Sequence, residues 1–220
     1  MWSLRTGLGH ITHSHLFAMI IDCHTHIWGS EEQLGGAAGL CRTPTRSAIE
    51  SATYHAGPED HLAAADPVDK TIVLAIKSYY LQADVPNEYV AGYVRQYSDQ
   101  MVGFAAVDPA HPREAIDELH RAHDELGMKG VTTWPAAQDC HPASTGAMRV
   151  YAETARLGMP MVFHQDVHAV TVSKMEFARP YLLDEVAREF SDLRIVVSQL
   201  GYPWVDETIA LLSKHKNVFA

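Results

Sequence analysis

The strongest constraint on the fold is a rhythm. From Met19 onward, short apolar runs of β type alternate with longer stretches at helical spacing. Strands are expected at Ile20–Ile27, Thr71–Ile76, Met101–Val107, Lys129–Trp134, Pro160–His164 and Arg194–Gln199, with Asn217–Ala220 starting another. Helical patterns fall between them, at Asn87–Tyr97, Arg113–Leu126, Ala147–Leu157, Tyr181–Phe190 and Val205–Lys214. Pro112 stands where a helix can begin, and Gly127 and Gly158 stand where helices end. After a long first connection, strands begin roughly 25 to 35 residues apart, the length of one βα unit.

Repeated βα units without hairpin signals imply a parallel sheet, closed either as a doubly wound open sheet or as a TIM barrel. No GxGxxG follows the first strand and no GxxxxGK[ST] occurs anywhere, so the usual nucleotide-binding reasons for an open sheet are missing. Polar residues cluster instead at strand carboxyl ends, where a barrel assembles its site. The connection from Gly29 to Lys70 reads as an elaborated loop with a short helical stretch near Asp60–Ala65.

Charge narrows the partners. With 17 Lys and Arg against 27 Asp and Glu, the formal charge of −10 has the wrong sign for a phosphate backbone or an anionic bilayer. Neither nucleic acid nor membrane is expected as a partner, and a homo-oligomer remains open. Three scattered cysteines, Cys23, Cys41 and Cys140, form no disulfide framework and fit a reducing cytoplasm. Residues 1–18 hold no apolar stretch long enough for an export signal. They read as a non-native or disordered extension ahead of a domain spanning 19–220.

Among 14 histidines, His24 and His26 stand out because they end an apolar strand, preceded by Asp22. Alternate side chains share one face of a strand, so both imidazoles can reach a single metal ion. A bare HxH is weak, since this abundance predicts roughly one such pair by chance, and His13 and His15 form another. A hydrogen-bonded pair in the core is the competing reading. His164 closes a second apolar strand and would supply a third ligand. Asp22, by the same alternation, would be a buried acceptor behind the ligands or a structural strand-end residue. Trp28, Trp134 and Trp204 follow strand ends, where ordinary packing is the better reading than a substrate floor. Arg42 and Arg46 read as surface charge, and the unpatterned histidines, His61 among them, as mostly exposed.

The motifs I-I-D-x-H-x-H, V-G-F-A-A-V-D-P, L-G-M-P-M-V-F-H and R-I-V-V-S-Q-L-G-Y-P-W-V-D-E-T occur in order across residues 19–220. Together they resemble the amidohydrolase superfamily, in particular the branch containing aminocarboxymuconate-semialdehyde decarboxylase and resorcylate-type decarboxylases. The resemblance implies a TIM-like (β/α)8 barrel of metal-dependent hydrolase type. It also implies one divalent metal, zinc or manganese with zinc preferred, held by His24, His26 and His164. The implied activity is hydrolysis or non-oxidative decarboxylation of a small carboxylated, aromatic or muconate-like molecule.

Two departures from that pattern matter. Gln199 stands where the family usually carries a strand-six histidine, and an amide cannot take a proton near neutral pH. The family's remaining ligand is an Asp at the end of strand eight, whereas the sequence stops at Ala220 in what reads as strand seven. The barrel is therefore expected to be truncated in strand seven, lacking its last βα unit or units. The competing expectation is a catalytically incomplete fragment or a non-enzymatic metal-binding protein.

Overall fold

The computed structural model describes residues 19–38, 56–166 and 170–220; the expectations for residues 1–18, Cys41, Arg42 and Arg46 lie outside the described residues. Nine strands are described: β1 (Ile21–His26), β2 (Lys70–Leu74), β3 (Ile76–Ser78), β4 (Ala83–Val85), β5 (Met101–Ala106), β6 (Gly130–Thr133), β7 (Met161–Phe163), β8 (Ile195–Val197) and β9 (Val218–Phe219). The α-helices are α1 (Pro58–Ala64), α2 (Asn87–Gln96), α3 (Pro112–Asp124), α4 (Thr145–Arg156), α5 (Asp184–Glu189) and α6 (Val205–Lys214).

Seven strands form one parallel sheet in the order β1-β2-β5-β6-β7-β8-β9. Spatial order follows chain order, as it must when each crossover is short and turns the same way. The result is a TIM-type barrel of seven parallel strands, with β1 and β9 as its edges among the described residues.

The two faces of the sheet carry separate apolar clusters. On the helix side, Val73, Ala105, Val131, Phe163 and Ile195 pack with Val90, Leu119, Tyr151 and Val186 in the main core. On the barrel interior, Leu74, Phe104 and Val162 are buried, with Ile72, Val102 and Val196 only partly covered. Helix boundaries follow local chemistry. Pro112 opens α3, the Ser144 hydroxyl accepts from Ala147 N–H at the start of α4, and Gly127 and Gly158 both take φ of +68° just beyond the ends of these helices.

Three elements differ from the expected pattern. The run Thr71–Ile76 divides into β2 and β3, and β3 turns back as an antiparallel hairpin with β4. Its turn lacks an Asn-Gly or Gly signal. Gln82 takes the left-handed position (φ +54°), while Ser78 Oγ accepts from Leu81 N–H and Asp108 accepts from Tyr79 N–H. The helix expected over Tyr181–Phe190 is a 3-10 turn, Pro180–Leu183, followed by α5. The strand expected to reach Gln199 ends at Val197, because Gln199 and Leu200 enter the left-handed region (φ +51° and +54°).

Gly130 sits beneath the Phe104 ring in the interior. A Cβ there would lie 2.3 Å from Phe104 Cε2, so the ring would have to move inside a packed layer. Gly130→Ala is expected to cost about 1–3 kcal/mol, measured by urea or thermal unfolding. Phe104→Leu in the same chain should recover part of that loss, and wild-type stability of the single variant would contradict this packing.

Candidate metal centre

β1 and β7 lie far apart in the sheet order, yet curvature brings their carboxyl ends together. His24 and His26 come from β1, and His164 follows β7 directly. One potential ligand atom from each lies within 4.8 Å of the others. Ring centroids are separated by 5.1 Å for His24–His26, 4.7 Å for His24–His164 and 5.4 Å for His26–His164.

Proton positions follow from the partners. His26 Nδ1–H donates to the Leu74 carbonyl at 2.9 Å, which leaves Nε2 with a free lone pair. That atom lies 3.2 Å from His24 Nε2. A tetrahedral ion with bonds of about 2.0–2.1 Å separates its ligand nitrogens by about 3.3 Å, so the spacing fits a shared ion. Electrostatics act in the same direction. Burial holds His26 down to about 4, reinforced by repulsion from His24. Burial also lowers His24, opposed by the carboxylates of Asp166 and Asp22. Neutral imidazoles are the form that binds metal.

A cavity of about 10 Å³ opens between His26, His164, Thr132, Trp134 and Gln138, enough for one small bound species. Thr132 Oγ1 is buried on its wall with no hydrogen-bond partner. This hydroxyl and three nitrogen donors suit a polar occupant such as a divalent ion. A larger cavity of about 490 Å³, lined by Tyr79, Asp84, Asn87, Glu118 and Arg121, contains none of the three histidines and is not the site.

Gln138, which has no signal in the sequence, organises the mouth. Its Oε1 accepts from Thr133 Oγ1 and Trp134 N–H at 2.7 and 2.9 Å, and its Nε2 donates to the Lys77 and Val107 carbonyls at 2.7 and 2.8 Å. All four of its hydrogen-bonding positions are filled while it is 2% exposed, so it joins three strand ends rigidly. Trp134, held by that residue, lies 5.5 Å from the His164 ring.

Residues 21–220 match the family described as amidohydrolase. The chain belongs to the amidohydrolase family. Among solved structures, an uncharacterized TIM-barrel protein from Bordetella bronchiseptica aligns with a TM-score of 0.69 at 21% identity, covering 91% of this chain and 73% of that one. The 5-carboxyvanillate decarboxylase of Novosphingobium aromaticivorans, complexed with manganese and 4-hydroxy-3-methoxy-5-nitrobenzoic acid, aligns with a TM-score of 0.66 at 15% identity, covering 92% and 73%. A probable 2-pyrone-4,6-dicarboxylic acid hydrolase from Acinetobacter baumannii, with citric acid bound, aligns with a TM-score of 0.54 at 14% identity, covering 87% and 66%. No curated protein sequence matches the chain.

Within this amidohydrolase, two expectations need correction. Asp22 is exposed, not a buried acceptor behind the ligands, and its Oδ1 accepts from His24 N–H at 3.1 Å. Ile21 and Cys23 beside it are exposed as well, and β1 also shifts register here. Asp22 pairs with Thr71 and Thr25 with Val73, so three steps on β1 match two on β2 and the alternation breaks. His61 is buried, not exposed, and bonds Thr25 and Tyr93. Gln199 lies in the exposed turn after β8, apart from the residues lining the small cavity.

The depressed value of His26 has a consequence for the metal-free protein. Its folded-state pKa lies below the unfolded value of 6.5, so the unfolded chain binds more protons between about pH 4 and 6.5. Stability should therefore fall as pH drops through that window, by on the order of 2–3 kcal/mol from this group. Urea titrations of chelator-treated wild type and His26→Gln check this; the variant should show a shallower acid loss, and identical slopes would contradict the depressed value.

Proposed function

We propose that this amidohydrolase is a metal-dependent enzyme that removes carbon dioxide, without redox chemistry, from a small, planar, carboxylated molecule. The convergence of His24, His26 and His164 on one point carries the reading. We propose these residues as the ligands of a single divalent ion. Three imidazole donors favour zinc, whereas manganese is the ion complexed with the Novosphingobium decarboxylase. Such an ion supplies Lewis-acid polarisation of a carboxylate or carbonyl oxygen.

The chain's own residues then divide the remaining work. The Leu74 carbonyl fixes the His26 ring so that Nε2 faces the ligand position. The unpartnered Thr132 hydroxyl, on the cavity wall, is placed to donate to a bound oxygen. Trp134 offers an aromatic face beside His164 for a flat ring. Decarboxylation breaks the bond from the ring carbon to the carboxylate, releases carbon dioxide and places one proton on that carbon. Asp166, buried and close enough to favour protonated His24, is our candidate for holding that proton.

Hydrolysis is the second reading, supported by the likeness to the Acinetobacter hydrolase. A purely non-enzymatic metal-binding role has no support from the family. The free thiols of Cys23 and Cys140 support a cytoplasmic setting, and no described helix is long and apolar enough to cross a membrane. We leave self-association as a proposal to be read from sedimentation.

Elemental analysis should find about one zinc or manganese per chain, and less than about one tenth of that in His24→Ala or His164→Ala. Hydroxybenzoates and carboxyvanillate-like acids should lose ultraviolet absorbance with release of carbon dioxide. Proton release from lactones, or ammonia or amine release from amides, without carbon dioxide would move the assignment to hydrolysis. Unchanged metal content in both variants would remove the site.

A further inference from the structure

We propose that His61 is a positioning residue for the histidine pair, holding Thr25, and through it His24 and His26, in the register that brings their Nε2 atoms together. The inference rests on the reading of these two residues as ligands. It starts from a weakness in β1. The register shift between Asp22 and Thr25 leaves the segment carrying His24 outside the regular ladder, and Thr25 is where pairing resumes, against Val73. Whatever fixes Thr25 therefore fixes where the two imidazoles emerge.

Thr25 is held on the side opposite the imidazoles. Its hydroxyl donates to the Ile72 carbonyl at 2.9 Å. That commits its one proton, so the contact from His61 Nε2 at 2.8 Å must be a donation from His61 to Thr25 Oγ1. His61 Nδ1 is then the bare nitrogen, and the Tyr93 hydroxyl donates to it at 2.9 Å. Every proton in the chain from Tyr93 through His61 and Thr25 to Ile72 is directed. The His61 and Tyr93 rings also meet edge to face, with centroids 5.5 Å apart at 85°. His61 is 8% exposed, and burial lowers its pKa, so it stays in the neutral form this chain requires. The clamp draws on four elements, α1, β1, β2 and α2, and does not include His24, His26 or His164.

The test compares His61→Ala, Thr25→Val, the double variant and His61→Gln with wild type. Zinc affinity is measured by competition with a chromophoric chelator. Each single substitution should weaken zinc by about 10- to 100-fold while far-ultraviolet circular dichroism stays the same. The double variant should be within about twofold of the weaker single one, because both remove the same interaction. His61→Gln keeps a donor near the Nε2 position and should recover most of the affinity.

A metal-free arm reads the His26 ring proton that bonds Leu74, by nitrogen-15 NMR. It should be slowly exchanging in wild type and His61→Gln, and fast or broadened in His61→Ala and Thr25→Val. Unchanged exchange of that proton in both variants, or zinc losses that add in the double variant, would overturn the proposal. If wild type binds no zinc, the ligand reading fails and the ring-proton arm alone decides the positioning claim. Thr25→Val, nearly the same shape, keeps the test alive should His61→Ala not fold.

Discussion

The candidate site depends on the pairing of β1 with β2. β1 is an edge strand and takes its backbone partners from one side only among the described residues. Two side-chain bonds from β1 supplement that ladder, Thr25 Oγ1 to the Ile72 carbonyl and His26 Nδ1 to the Leu74 carbonyl. The second bond acts on structure and chemistry at once. It ties the edge strand to the sheet, and it selects the His26 tautomer whose Nε2 is unprotonated. Without it the same histidine could turn either nitrogen outward, and the fit to a tetrahedral ion would be lost.

Much of this was legible in the sequence, for a reason that particular residues show. Each strand of the main sheet is a short apolar run bounded by helix signals, and in a parallel barrel such runs must end at the same mouth. A histidine closing Pro160–His164 was therefore bound to approach one closing Ile20–Ile27, although 138 positions separate His26 from His164. What failed was finer than topology. The alternation that correctly pairs His24 with His26 breaks at Asp22, because a bulge in the ladder is a property of pairing and carries no local signal. The β3–β4 hairpin was hidden for a similar reason, since its left-handed turn residue is Gln82 and not glycine.

His61 and Gln138 were illegible because their roles exist only through distant partners. His61 meets Thr25 from 36 residues away, and Gln138 reaches Lys77 from 61 away. Each is a polar side chain fully engaged inside the protein, where an unmet donor or acceptor would cost about 1–3 kcal/mol. A sequence shows such residues as ordinary polar positions in loops or short helices. Their burial is what marks them, and it is set by elements distant in sequence, β1 and α2 around His61 and β3, β5 and β6 around Gln138.

An ion bound by the three histidines would have a structural role distinct from its chemical one. Its ligands would come from β1, at one edge of the sheet, and from the end of β7, four strands further along the order. No hydrogen-bond ladder joins those strands directly, and the interior between them is thinly packed, with Ile72, Val102 and Val196 only partly covered around Leu74, Phe104 and Val162. An ion shared by His24, His26 and His164 would bridge the mouth where apolar packing is weakest. Binding to the folded chain and not the unfolded one stabilises it by RT ln(1 + [M]/Kd), about 4 kcal/mol at a thousandfold excess over Kd. The curvature that brings three imidazoles together thus makes the site depend on the fold, and the ion, once held, would maintain that curvature.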